Sequence, residues 1–501
     1  MKQKPSHSIN KKHFSNKRGY SMKLKKIVGV MAAIGIAAPG VAMATNGMNL
    51  EGYSPIAAGM GGASMAYDNG TAAVVNNPAT LGLMPQGSRF DLAIGMLGPD
   101  VNTSTNMPGM GTLGAPSGGD SYYMPAIGYA KKAGKLAYGV GIFAQGGMGT
   151  EYGSDSFLSW GDTGPANKPV RSEVGVGRLV VPLAYDVDPK LTVAGSIDFV
   201  WANMDLQMLM PGSMMGPMMT GASPLGTVGG SMVTDRFFPA MGAGQMTGFN
   251  WGYFDFSNTN DYSGAAHSTG WGGKLGVTYK VNPQLTLGAT YHTKTSLGDL
   301  EGSASLGFSA NLGASMGGGT VPVNVSGKIS VHNFEWPQTF GFGMAYQATN
   351  KLMVVADYKR IDWANVMKDF KMTFTAEDNQ ADPMAQAFML GGTVMDATLY
   401  QNWENQNVFQ FGASYKLTDA WTLRGGLNLA NNPVPDSYMN ALFPAIVEDH
   451  VTAGVGYAFN KAQDLNFSLA YADKNTVTNS VTGVTSSMSQ LNWQLMYSHR
   501  F

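Results

Sequence analysis

The sequence predicts an all-β protein, a 14-stranded antiparallel transmembrane β-barrel, on three observations. Apolar and polar residues alternate with period two along segments of about ten residues, the length a tilted strand needs to cross a bilayer. Tight turns alternate along the chain with long loops, which is the barrel habit. The chain also stops on such an alternating segment, closing on aromatic Phe501. Composition agrees: only 13% of the 501 residues are charged, with 66 Gly, 34 Met and no Cys. A chain without Cys has no disulfide scaffold, thiolate metal site or thiol nucleophile.

Nine Lys and Arg and no acid fall in residues 1–44, leaving 23 bases against 33 acids, a net −10, in residues 45–501. An acidic mature part argues against a nucleic-acid partner. The basic start has its own logic. Met22-Lys23-Leu24-Lys25-Lys26 precedes an apolar stretch from Ile27 to Ala38 and then Ala42-Met43-Ala44, the order of a cleaved export signal. Residues 1–44 are therefore expected to be removed, with 1–21 as an upstream extension ahead of Met22. A spanning helix would need roughly 20 apolar residues, more than this stretch offers.

Strand candidates follow in order at 88–98, 121–131, 135–146, 172–186, 190–204, 268–280, 284–298, 328–348, 350–363, 405–417, 419–430, 447–459, 463–473 and 486–501. Trp271, Gly273, Leu275, Val277 and Tyr279 alternate with Gly272, Lys274, Gly276, Thr278 and Lys280, and the pattern resumes beyond the turn Val281-Asn282-Pro283. Phe409, Phe411, Ala413 and Tyr415 oppose Gln410, Gly412, Ser414 and Lys416, and a second such segment follows Thr418-Asp419. A soluble sandwich also alternates. Strand length, aromatic residues near strand ends and the alternation of short and long connections favour the membrane. Long loops are expected at about 205–265, 299–327 and 364–404. The terminal Phe501 resembles the signal read by the outer-membrane barrel-assembly machinery, although His499 stands where an apolar residue is usual.

Residues 45–87 do not alternate. They run from Thr45-Asn46-Gly47 through Gly59-Met60-Gly61-Gly62-Ala63 to Asn77-Pro78-Ala79, rich in small residues, and cannot face lipid as irregular backbone. A small-residue segment with this Asn-Pro-Ala triplet, leading into a barrel, resembles the FadL-type family of outer-membrane long-chain fatty-acid and hydrocarbon transporters. Asn431-Asn432-Pro433-Val434-Pro435, the strand Ala453 to Lys461, and Leu352 to Trp363 resemble later parts of the same family.

The resemblance implies a hatch at 45–87, carrying Asn77, Pro78 and Ala79, that plugs the barrel of residues 88–501. It also implies passive uptake of hydrophobic small molecules by loop capture, hatch rearrangement and sideways release into outer-membrane lipid through a kinked third strand. The kink is expected at Ala144-Gln145-Gly146-Gly147, where glycines interrupt the third candidate; an ordinary glycine bulge is the plain alternative. A monomer without cofactor or metal is expected. Where fatty-acid carriers can present a basic residue after Phe199-Val200-Trp201, this chain has Asn203, and Leu399 to Asn407 is likewise uncharged, so neutral hydrocarbons gain weight. Asn203 has the opposite parity to Asp198, so it reaches the interior only through a bulge or above the membrane. Lys274, His292, Lys294 and Arg424 share a polar parity and could supply positive charge.

The 205–265 insertion carries Met210, Met214, Met218, Phe237 and Phe238, flexible apolar side chains suited to a capture groove for hydrophobic molecules, together with Trp201 and Asn203 below it. A Cu(I) site is the rival for clustered Met, and a packed loop the plain reading. Gly313-Ala314-Ser315-Met316-Gly317 fits a serine-elbow pattern without the following helix, and Gly109, Gly111 and Gly114 a dinucleotide spacing without strand and helix, so no enzyme is expected. A barrel lipase and a diffusion porin are the alternatives.

Overall fold

The computed structural model describes residues 45–260 and 263–501, so the expected export signal lies outside the described residues. Gly87–Leu97 (β1), Tyr122–Ala133 (β2), Leu136–Gly153 (β3), Val170–Asp186 (β4), Leu191–Pro211 (β5) and Ala266–Lys280 (β6) pair antiparallel, each with the next. The pairing continues through Leu285–His292, Thr339–Gln347, Leu352–Ile361, Gln406–Lys416, Trp421–Ala430, His450–Ala458, Gln463–Thr478 and Thr485–Arg500. Thr485–Arg500 then pairs back with β1, from Arg89↔Arg500 to Met96↔Trp493. The sheet is closed. Closure leaves no edge, which is the condition for strands to stand in lipid.

Period two sorts the wall into faces. Ile197, Trp271, Leu275, Phe342 and Tyr471 are exposed on the outside, while Arg178, Asp198, Lys274, Gln410, Asn428 and His450 of the same circuit are buried. A soluble protein would invert this arrangement. No helix among the described residues is long and apolar enough to cross a membrane, which says nothing about strands.

A single sheet holds 23 strands, more than the fourteen expected, because further strands join the closed circuit. The regions read as long loops are strand-rich. The upper end of β5 pairs with Met246–Phe256, and Leu300–Leu312, Thr320–His332, Asp369–Ala376, Val394–Tyr400 and Gly226–Gly229 follow in one ladder. The 328–348 candidate is two strands, ending at His332 and resuming at Thr339. Asn333 takes a left-handed conformation there and Pro337 has no amide to donate.

Residues 45–86 form no ladder of their own and are almost entirely buried. Their polar backbone is satisfied by side chains from strands all around the circuit. Gly61 donates to Thr452 (2.8 Å), Ser64 and Met65 to Asp357 (2.6 and 3.0 Å), and Thr71 to Asp91 (2.7 Å). Gln410, Asn428 and Gln494 donate back to Glu51, Gly61 and Gly52 carbonyls. Small residues permit this closeness: a β-carbon at Gly62 would lie 1.9 Å from the Glu51 carbonyl oxygen.

Candidate functional site

The wall has one irregular seam on its third strand. The β2–β3 ladder runs from Ala133↔Leu136 to Ala126↔Phe143 and stops. Above that point Tyr122 to Pro125 stay paired with β1, and β3 stays paired with β4 up to Gly153↔Val170. The two strands have parted, leaving a gap. Gly118 closes it from above, donating to the Glu151 carbonyl at 2.6 Å. The cause is a bulge: Ala144 opposes Gly177 and Gly146 opposes Val176, so Gln145 is the extra residue. Pro125 lacks the amide to rebuild the ladder on the other side.

The bulge is tied inward. Asn49 makes an antiparallel bridge with Gly146, Gly147 donates to the Met48 carbonyl (3.2 Å), and Leu50 donates to the Gln145 carbonyl (3.4 Å). The backbone that leaves β2 thus bonds to residues 48–50 instead. Gly146 is required by this contact, since a β-carbon would stand 2.0 Å from the Met48 oxygen. Tyr53 donates its hydroxyl to the Gln145 carbonyl at 2.8 Å, and burial pushes the Tyr53 hydroxyl up, so it stays a donor. The Gln145 side chain accepts from Arg178 Nε. Arg178 also donates to Asp198 Oδ2 at 2.9 Å, where Lys274 donates as well, making a buried cluster of three charges under the gap.

A cavity of about 560 Å³ opens at the gap. It is lined by Tyr122 to Pro125 on one side and Ala144, Gly146 and Gly147 on the other, and it reaches Thr45 and Gly47 within the bore. Trp201 and Asn203 also line it. Both keep the outward parity of exposed Ile197, while Val200 and Ala202 between them are buried. Asn203 therefore lines the cavity from the outward face of β5 rather than from the interior. The lining thus includes both residues of the inner segment and outward-facing residues of β5.

Three of the predicted gate residues and both Trp201 and Asn203 meet at this cavity, and Gln145 anchors it from below. The loop residues do not join them. Met210, Met218 and Phe237 are buried in an apolar core, with the Phe237, Phe249 and Phe308 rings 4.9 to 5.5 Å apart, edge to face. Only Met214, half-buried, and Phe238, exposed, can be touched from outside. The capture groove expected of these Met and Phe side chains is a packed layer; the extra loop strands gave them partners. Lys274 is spent on Asp198, and Lys294 pairs with Glu335. His292 Nε2 lies 3.0 Å from the Asn76 carbonyl oxygen. Ser315, of the serine-elbow match, donates to the Gly244 carbonyl in a surface turn.

Asn77, Pro78 and Ala79 lie in a short turn that packs against β4, β5 and β6. Asn77 Nδ2 donates to the Met65 and Val277 carbonyls (2.8 and 3.3 Å), and its Oδ1 accepts from Ala79 N–H (3.1 Å), capping the short helical turn that Pro78 begins. Asn77→Ala should cost about 1–3 kcal/mol of docking through the stranded carbonyls. Residues 45–86 should then be cut faster by protease in detergent-purified protein, and an unchanged rate would contradict the role. Asp68 anchors the segment to β1 through a two-pronged pair with Arg89 (2.7 and 2.8 Å). Burial works to raise the Asp68 carboxyl, but the Arg89 guanidinium outweighs it and holds the carboxyl below its ordinary range. A lowered carboxyl contributes stability above its unfolded value of about 3.9, lost as pH falls through the folded value. The segment should loosen in acid below about pH 4, and Asp68→Asn should remove that dependence.

Phe501 ends the circuit on β1, its amide donating to the Ser88 carbonyl (2.9 Å) with its ring exposed beside His499. Sequence reasoning missed Arg178, Tyr122 and Trp336. Trp336 donates to Asn49 Oδ1 at 2.5 Å and packs edge to face on Trp363. Only its neighbour Pro337 hinted that the chain turns inward there.

A family model described as outer membrane protein transport protein (OMPP1/FadL/TodX) matches residues 32–498. The chain belongs to this family. The OMPP1/FadL/TodX barrel is also seen in the crystal structure of the P. putida toluene transporter TodX. That protein is 31% identical over 90% of this chain and 99% of its own, with a TM-score of 0.74. A long-chain fatty acid transport protein of Salmonella typhi is 20% identical over 427 residues, 83% of this chain and 84% of that protein. A Chlorobium limicola protein described as lying in the phosphoenolpyruvate carboxykinase gene 5′ region is 53% identical over 66 residues, 13% of this chain; the match spans 32% of that protein's length.

Proposed function

We propose that this chain carries small neutral hydrophobic compounds across the outer membrane, passively, and releases them sideways into lipid between β2 and β3. The observation that carries the reading is the cavity at the bulge, which is lined both by Thr45 and Gly47 of the inner segment and by Trp201 and Asn203 on the outward face of β5. An apolar cargo gains roughly 25 cal/mol for each Å² it hides from water, so a step from cavity to bilayer runs downhill without fuel. Residues 45–86 act as the hatch, and their bridge to Gly146 couples hatch position to the opening. Capture takes place at the cavity, with Met214 and Phe238 at the loop surface as first contacts.

Neutral cargo is favoured over carboxylates by the charges of the lining. Asp120, Glu151 and Glu173 stand against Arg171, which already pairs with Glu173 at 2.5 Å and Asp205 at 3.6 Å. The similarity to a toluene transporter points the same way. No catalytic step is assigned to the chain, and it works as a monomer placed in the outer membrane by barrel-assembly machinery that reads Phe501, after the export signal of residues 1–44 is cleaved. Growth on single-ring hydrocarbons, alkanes and fatty acids, with and without the gene, tests the reading. Loss confined to neutral hydrocarbons is expected, and loss on fatty acids alone would contradict it. In planar bilayers the purified protein should conduct few ions; steady porin-like conductance would contradict the hatch.

A further inference from the structure

Two glycines flank one ring at the gap. The neighbours Ser121, Tyr123 and Pro125 are exposed on the outer face, so Tyr122 of β2 points to the inner side. Its hydroxyl reaches across the gap to β3: a β-carbon on Gly149 would lie 2.5 Å from Tyr122 Oη, and one on Gly119 would lie 2.3 Å from it. The phenol thus crosses from one parted strand to the other, its tip seated in a notch that any larger residue would fill. On the outer side Trp201 rests against Gly177, where a β-carbon would stand 2.3 Å from the indole ring. Both rings line the cavity, and each is seated on glycine.

We propose that Tyr122 sets the width of the opening and so selects cargo by cross-section, passing single-ring and unbranched molecules and holding back fused-ring ones. The role rests on the sideways exit proposed above. Tyr122 is a specificity-determining residue because the strands to either side of it are fixed, β2 by its ladder to β1 and β3 by its ladder to β4, so the side chain spanning them sets the aperture between them. A misfit of one or two carbons in an apolar passage changes discrimination by about ten-fold to a hundred-fold.

The test is competitive uptake of a labelled single-ring and a labelled two-ring hydrocarbon by cells expressing the full chain, with barrel folding checked by heat-modifiable gel migration. Tyr122→Ala should raise the two-ring to single-ring ratio about ten-fold. Tyr122→Phe, which keeps the ring, should leave the ratio unchanged, and Tyr122→Trp should lower it, which keeps the proposal exposed if the alanine variant does not fold. An equal ratio in all folded variants overturns the role of Tyr122. A chain lacking Gln145 separates the two ideas. If both hydrocarbons still enter at full rate without Gln145, the sideways exit itself fails; if both depend on Gln145 while the ratio stays flat, only the width role fails.

Discussion

Deleting Gln145 should reduce hydrocarbon uptake to the level of cells lacking the gene, at least ten-fold, while the barrel still folds. Gln145 is the extra residue of the bulge; without it Ala144 and Gly146 become consecutive and face Gly177 and Val176 in an unbroken ladder. A straight β3 would extend its pairing with β2 upward from Phe143. Each regained backbone bond contributes about 0.5–1.5 kcal/mol, so the closed wall is the more stable one once the bulge is gone. The deletion also removes the acceptor for Arg178 and Tyr53 and the carbonyl that meets Leu50. Uptake assayed with a labelled single-ring hydrocarbon, beside gel migration for folding, reads the outcome. Full uptake by a folded deletion variant would show that cargo does not leave through the gap.

Asp198→Ala should destabilise the barrel by about 3–5 kcal/mol, the cost of stranding a buried charge. Arg178 and Lys274 both donate to the same oxygen of Asp198, and all three side chains are buried. Removing the carboxylate leaves two cations facing each other with no water to screen them. Asp198→Asn keeps an acceptor and should cost less. Urea unfolding of the refolded protein in lipid vesicles measures both, and equal stability of the alanine variant and the parent would contradict the role of the cluster. The gap should suffer too, because Arg178 is then free to leave Gln145.

The wall was legible because lipid outside and polar groups inside impose period two on every strand, as Trp271 to Tyr279 shows. The kink was legible as glycines interrupting a strand, but which residue would be extra was not: Gln145 is polar, and only the register against Gly177 and Val176 identifies it. Arg178 and Asp198 lie twenty positions apart and meet because neighbouring strands align them, which no local pattern records. Asn203 keeps the parity opposite to buried Asp198, and its place in the cavity lining is a matter of the neighbouring strands, which no local pattern shows. The Met-rich insertion misled for a physical reason. Flexible apolar side chains suit a groove and a packed core equally, and the deciding partners, Phe249 and Phe308, sit on strands hidden within segments read as loops.

The most direct measurement uses a single-ring hydrocarbon carrying a photoreactive group, added outside to the protein in outer-membrane-like vesicles, with labelled residues mapped by mass spectrometry. The sideways route predicts label on Tyr122 and Ala144 along the gap and on Trp201 on the outward face of β5. Label absent from these and found instead on residues within the bore such as Asn77 and on the turn at Val281 and Asn282 would mean that cargo passes straight down the bore.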